Sequence, residues 1–337
     1  MMKKVIIIAE AGVNHNGSIK KALKLIRKAA EAGADYIKFQ ITESSQITKH
    51  AKKASYQKEN TSGKNSQKDM IKKLEFDWEK IHPILIKECK MNNIKFLTTP
   101  FSERAIKITK KIKLDFYKIA SGEFNNLPFI ENISKLKKKI ILSTGLCSFN
   151  DIKETLKLLN KLKVKNKDII IFHCNTAYPT KLEDAHINAI KELKKFNCEI
   201  GYSDHTVGFE SSLAAITLGA KYIEKHFTLN KKLWGPDHKS SLDPKEFTKF
   251  VRYIRNTEKA LGNSKKILTN SAKENFLVAT RSIVAIKTIK KNERFSKKNI
   301  DVKRPGNGIS PMKWHQIIGK KSKNNYVYDD LLKKNEL

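Results

Sequence analysis

The sequence predicts an α/β fold: a (β/α)8 TIM barrel followed by a small C-terminal domain. Three observations lead there. Eight short β-rich apolar runs alternate with helical stretches whose apolar residues recur at i, i+3, i+4, i+7 spacing. Polar residues stand at the end of every one of these runs. The texture then changes from about residue 278, where short β-like runs and turn-rich segments take over. Strict alternation implies a parallel sheet, and eight units imply closure into a barrel. A doubly wound open sheet would gather its polar residues at one switch point instead.

The runs are 4–9, 34–40, 94–99, 116–120, 139–144, 168–174, 198–202 and 221–226. After the eighth, 243–261 reads as a helix with Asp243 as N-cap and Pro244 at its first position. The barrel domain is therefore 1–262, with a linker at 263–277 and a compact domain at 278–337. About 60 residues is near the lower limit for folding alone, so this domain is expected to lean on a neighbour. Segment 41–75 is too long and polar for an ordinary βα connection. It reads as a mobile flap over the barrel mouth.

Composition excludes several classes. No apolar run approaches the roughly 20 residues of a membrane span. The opening apolar stretch runs straight into Glu10 and Asn14-His15-Asn16-Gly17 without a cleavage-site pattern. It reads as a first strand, and the protein as cytoplasmic. Cys89, Cys147, Cys174 and Cys198 form no CxxC pair and are expected as free thiols. The net charge of +34 would suit nucleic acid. Yet the lysines are spread along helix faces, without a basic tail or an aromatic-interleaved stripe. No nucleic-acid partner is expected; the positive field would instead draw in phosphate esters and carboxylates.

In a barrel enzyme the chemistry lies at the C-terminal ends of the strands. In chain order those ends supply Glu10; Lys38 and Gln40; Thr99; Lys118, Ser121 and Glu123; Ser143 and Thr144; Asn175 and Tyr178; Ser203, Asp204 and His205; Glu224 and His226. Lys38 and Lys118 sit inside apolar runs, where an unpaired charge is costly. Two lysines with several hydroxyls suit a phosphate and a carboxylate. His205 and His226, on adjacent strands, suit one divalent metal, although a lone histidine is more often a hydrogen-bonded core residue.

These residues fall in segments that resemble the N-acetylneuraminate (sialic acid) synthase family, which includes the legionaminic and pseudaminic acid synthases. The segments are AEAGVNHNG (9–17), IKFQ (37–40), TTPFS (98–102), YKIASGE (117–123), LSTG (142–145), HCNTAYPT (173–180), GYSDHT (201–206), IEKHFT (223–228), GPDH (235–238) and KRPGNGISPM (303–312). The resemblance spans essentially the whole chain. It implies that the C-terminal domain is an antifreeze-like (SAF) domain. It also implies condensation of phosphoenolpyruvate with an open-chain N-acylated amino sugar, with phosphate released by C–O cleavage. N-acetylmannosamine is the expected acceptor, and 2,4-diacetamido-2,4,6-trideoxymannose the alternative.

The resemblance further implies Mn²⁺, with Mg²⁺ or Co²⁺ as alternatives, on His205 and His226. Lys38, Lys118, Thr99, Ser121, Ser143 and Ser203 would surround phosphoenolpyruvate, and Glu10 would act as acid and base. Gln40, Tyr178 and Asp237 would face the sugar, with Glu123 and Asn175 as further substrate contacts. Arg304 would serve the partner's barrel in a domain-swapped homodimer. One departure stands out. The loop reads Asn175-Thr176-Ala177-Tyr178-Pro179, and Ala177 matches neither of the family's usual patterns.

Overall fold

The computed structural model describes residues 4–61 and 66–337. They form two compact units, 1–263 and 264–337. In the first, all eight apolar runs become strands: β1 Ile6–Gly12, β2 Tyr36–Ile41, β3 Lys95–Pro100, β4 Phe116–Ile119, β5 Lys139–Ser143, β6 Ile169–Cys174, β7 Glu199–Asp204 and β8 Tyr222–His226. They pair in parallel in the order β3-β2-β1-β8-β7-β6-β5-β4, and β3 packs against β4 to bring the two edges together. This is the barrel and not the open sheet. Helices fill the connections, several started by side-chain caps: Ser18 accepts from the Lys21 amide, Ser102 from Ala105, Ser148 from Asp151 and Asp243 from Glu246.

Strand periodicity builds the interior in layers. Ile8, Tyr36, Leu97, Phe116, Ile141, Phe172 and Tyr222 form an apolar cluster inside the barrel. Two residues further along the same strands stand Glu10, Lys38, Thr99, Lys118, Ser143, Cys174 and Glu224. A period of two keeps both sets on the same face, so an apolar layer lies directly beneath a polar one. The alternate residues, such as Ile7, Ile37, Leu142 and Ile171, point outward into the larger core shared with the helices.

Segment 41–75 contains a 3-10 turn, Ser44–Gln46, and two short helices, Ser55–Asn60 and Gln67–Lys72. Met70 and Leu74 are buried against Val13, with Ile71 packed alongside. Residues 62–65 of the expected flap lie outside the described residues. The second unit has its own core, including Ile283, Ile289, Phe295, Ile317 and Tyr326, and an antiparallel pair of strands, β9 Ser282–Ala285 and β10 Ile300–Lys303. Within the stretch read as linker, a helix begins: Asn270–Ala279, capped by Thr269. Among the described residues no helix is long and apolar enough to cross a membrane, and the four cysteines are free thiols.

Gly201 marks where the apolar layer is tightest. A Cβ there would lie 2.2 Å from the ring of Phe172, which is fully buried. Gly201→Ala should therefore destabilise the barrel by roughly 1–3 kcal/mol through overpacking, seen as a lower midpoint in thermal unfolding.

Candidate active site

The polar layer opens into a cavity at the C-terminal mouth of the barrel. Of the residues singled out in the sequence, Glu10, Lys38, Gln40, Thr99, Lys118, Ser121, Ser143, Tyr178, Ser203, His205, His226 and Asp237 line it together.

At its floor runs a chain of alternating charge. Lys38 Nζ lies 2.6 Å from Glu10 Oε2 and 3.6 Å from Glu224 Oε2, and Lys118 Nζ lies 2.6 Å from Glu224 Oε1. All four side chains are at least 93% buried. Lys38 also donates to Thr99 Oγ1 at 3.1 Å, Ser203 Oγ to Glu224 Oε1 at 3.0 Å, and Gln40 Nε2 to Glu10 Oε1 at 2.9 Å.

The four groups differ in how firmly they hold their charge. Burial drives Glu10 upward more than Lys38 pulls it down, so its carboxyl titrates above the ordinary range. Burial also raises Glu224, but Lys118 and Lys38 outweigh it and bring it to about 2. Burial opposes the charge on Lys38, yet Glu10 and Glu224 hold its pKa above the usual value. Lys118 is lowered, first by burial and then by its neighbour Lys38, with Glu224 opposing. Of the two glutamates, Glu10 is thus the readier to carry a proton, and Glu224 is the fixed anion.

Above Glu10 sits an aromatic and imidazole cluster. The His205 and His226 rings are 5.4 Å apart, and Tyr178 lies 4.1 Å from His205 and 5.3 Å from His226. Burial keeps both imidazoles neutral: His205 is pushed down to about 4 and His226 well below its ordinary value. His205 Nδ1 bonds to the Asn175 carbonyl, and its Nε2 lies 3.3 Å from Ser203 Oγ. His226 Nδ1 is buried without a hydrogen-bond partner, 3.9 Å from Asp237 Oδ2. Burial, then the nearby Glu10, pushes the Asp237 carboxyl up to about 7.

Two neutral imidazoles with one orphaned nitrogen fit a divalent cation. Among the described residues no three His, Cys, Asp or Glu side chains form a metal-binding group. The protein would supply two ligands, leaving substrate and solvent to complete the shell.

Three expected residues stand elsewhere. The Asn175 side chain accepts from the Ala177 amide and donates to the Asp184 carbonyl, so its backbone, not its amide, serves the site. Glu123 accepts from Asn126 Nδ2 at 2.6 Å, outside the cavity lining. Arg304 lies in the second unit and is exposed there. Conversely, the sequence placed Glu224 in the polar ring without giving it a role. Its position two residues before His226, on the same strand face, was the available signal. Tyr56, Gln57, Met70 and Ile71 also line the cavity, carried there by the two short helices of 41–75.

Fold and site define a barrel enzyme whose buried charged floor lies beside two neutral histidines. The chain belongs to the NeuB family, whose synthases condense phosphoenolpyruvate with amino sugars: the family profile matches residues 25–266, and the SAF domain profile matches 280–337. It is 46% identical to the N,N'-diacetyllegionaminic acid synthase of Campylobacter jejuni, over 98% of this chain and 100% of that protein. It is 37% identical to a Campylobacter jejuni pseudaminic acid synthase, over 99% of this chain and 97% of that one. A crystal structure of N-acetylneuraminic acid synthetase from Leptospira borgpetersenii, in complex with citrate, superposes with a TM-score of 0.71 at 34% identity, covering 81% of this chain and 90% of that one.

Lys118→Met should test the anion site. It removes one cation of the charge chain and leaves Glu224 short of a partner. The expected loss is about 2–5 kcal/mol of phosphoenolpyruvate binding, measured by calorimetry on the folded variant.

Proposed function

We propose that this chain is an N,N'-diacetyllegionaminate synthase, joining phosphoenolpyruvate to open-chain 2,4-diacetamido-2,4,6-trideoxymannose with release of phosphate. The buried Glu10–Lys38–Glu224–Lys118 chain beside two neutral histidines carries the reaction type. The acceptor rests on the 46% identity to a legionaminic acid synthase. It rests also on the apolar cluster of Val13, Met70 and Ile71 in the cavity lining, which suits a methyl group better than a hydroxymethyl. N-acetylmannosamine, the acceptor expected from sequence, is the second reading, favoured by the likeness to the Leptospira enzyme.

In this mechanism Lys38, Lys118, Thr99, Ser121, Ser143 and Ser203 hold the phosphate and carboxylate of phosphoenolpyruvate. Carbon 3 of phosphoenolpyruvate attacks the aldehyde carbon. Glu10 gives its proton to the aldehyde oxygen as that oxygen becomes a hydroxyl. It regains one from the water that adds at carbon 2. The hemiketal phosphate then collapses: its C–O bond to phosphate breaks, and the hydroxyl proton leaves with the phosphate. Gln40 keeps Glu10 oriented, while Tyr178 and Asp237 face the sugar. A divalent ion on His205 and His226, Mn²⁺ in this reading, would supply Lewis-acid polarisation of the aldehyde. Arg304 serves the barrel of a second copy in a homodimer; this follows the family resemblance.

Three measurements test these points. With both sugars in one preparation, kcat/KM should favour the deoxy diacetamido sugar by at least about tenfold, the scale of 1–3 kcal/mol for an apolar contact. A preference for N-acetylmannosamine moves the chain to the second reading and leaves the chemistry unchanged. Label in the bridging oxygen of phosphoenolpyruvate should appear in inorganic phosphate; label kept in the keto acid would refute C–O cleavage. Mixed Glu10→Ala and Arg304→Ala chains should regain part of the activity, because one site of each heterodimer is intact. No recovery in verified heterodimers rules out action in trans.

A further inference from the structure

Behind the two histidines, on the outer face of the barrel, lies an ion pair that the mechanism does not use. Lys225 Nζ is 3.0 Å from Asp204 Oδ2, and both side chains are fully buried. Such a pair is a weak source of stability, because two well-packed apolar residues would do as well or better. Its position in the chain is more informative. Asp204 directly precedes His205, and Lys225 directly precedes His226.

The ladder between β7 and β8 ends at the pair itself: Ser203 faces Glu224, and Asp204 faces Lys225. His205 is therefore one residue beyond the last pairing with the strand that carries its partner histidine. Each histidine carbonyl accepts one backbone bond at 2.8 Å, His205 from the Thr180 amide and His226 from the Leu242 amide, but only His226 also sits inside a strand ladder, paired with Glu10 on β1.

Beyond the ladder, the Thr180 bridge ties this segment to the loop after β6, and the ion pair ties it to β8. Asp204 Oδ1 accepts from the Thr206 amide at 2.9 Å and from the Thr206 hydroxyl at 2.7 Å. Lys225 Nζ donates to the Thr206 carbonyl at 2.7 Å. Ser212, on the helix Glu210–Thr217, donates to Asp204 Oδ2 at 2.5 Å. Thr206, the residue just after His205, is thus held at its amide, hydroxyl and carbonyl. The carbonyl bond runs to the residue just before His226.

We infer that Asp204 and Lys225 are positioning residues for the metal: their buried pair locks the chain past His205 onto β8 and so sets the spacing of the two imidazoles before any cation arrives. This rests on the reading of His205 and His226 as the metal ligands. Partners that orient metal ligands typically change affinity by roughly 10–100-fold when lost.

The test is Mn²⁺ affinity of the metal-stripped full-length protein, measured by calorimetry beside metal-free phosphoenolpyruvate affinity. Lys225→Met should weaken Mn²⁺ binding by roughly 10–100-fold and leave phosphoenolpyruvate binding within about twofold. Co²⁺ loaded into the variant should show an altered visible absorption spectrum. Mn²⁺ affinity unchanged in folded Lys225→Met, when His226→Ala has lost it, overturns the inference. Equal losses for Mn²⁺ and phosphoenolpyruvate also overturn it, since they mark a general structural role. Wild-type Mn²⁺ affinity in His226→Ala instead removes the histidine site on which the inference stands. Should Lys225→Met not fold, Asp204→Asn/Lys225→Met leaves no lone buried charge and is judged by the same criteria.

Discussion

Two lysines and two carboxylates at the floor of the barrel mouth constrain everything built around them. None of the four tolerates burial alone, so each must sit where its neighbours reach it. Lys38 bridges Glu10 and Glu224, and Glu224 in turn joins Lys38 to Lys118. These contacts join strands β1, β2, β4 and β8 across the interior. The apolar layer beneath shields the arrangement from one side, and burial strengthens each pairing. The same floor separates the two carboxyls in how readily they ionise. Glu224 sees both lysines and stays ionised, whereas Glu10 is raised by burial, with the Glu224 charge adding to the effect. Two chemically similar groups thereby titrate in opposite directions through position alone.

Much of this was legible in the sequence because strands obey a period of two. Once Ile8, Tyr36, Phe116 and Ile141 are read as interior, the residues two further on must face inward as well. That places Glu10, Lys38, Lys118 and Ser143 without any coordinates. The rule fails past the strand end, where loop hydrogen bonds set the direction of each side chain. Asn175 is taken by Ala177 and Asp184, and Glu123 by Asn126. The cover of the cavity was hidden for another reason. Segment 41–75 is polar on average, yet Met70, Ile71 and Leu74 follow a three-to-four spacing within it. So short an apolar stripe does not stand out until Val13 is seen packed against it. For Glu224 the sequence offered only its inward face, two residues before His226; its pairing depends on two lysines far away in the chain.

The outward faces of the strands have their own logic. Ile7, Ile37 and Ile171 pack against helices and serve the core. Asp204 and Lys225 occupy equivalent outward places but carry charge. The exception falls on the two strands that bear the histidines, at the last rung of their pairing. A local departure from apolar patterning next to a reactive centre is where sequence rules are expected to give way to function.

The two short helices also make the cavity a joint product of two kinds of element. Lys38 and Lys118 are almost completely shielded, while Tyr56, Gln57 and Ile71 line the same cavity. The strands fix the charged floor by their register, whereas the helices of 41–75 lie outside the sheet and owe nothing to that register. Bulk added at Tyr56 or Ile71 would therefore change the room beside the lysines without moving either of them.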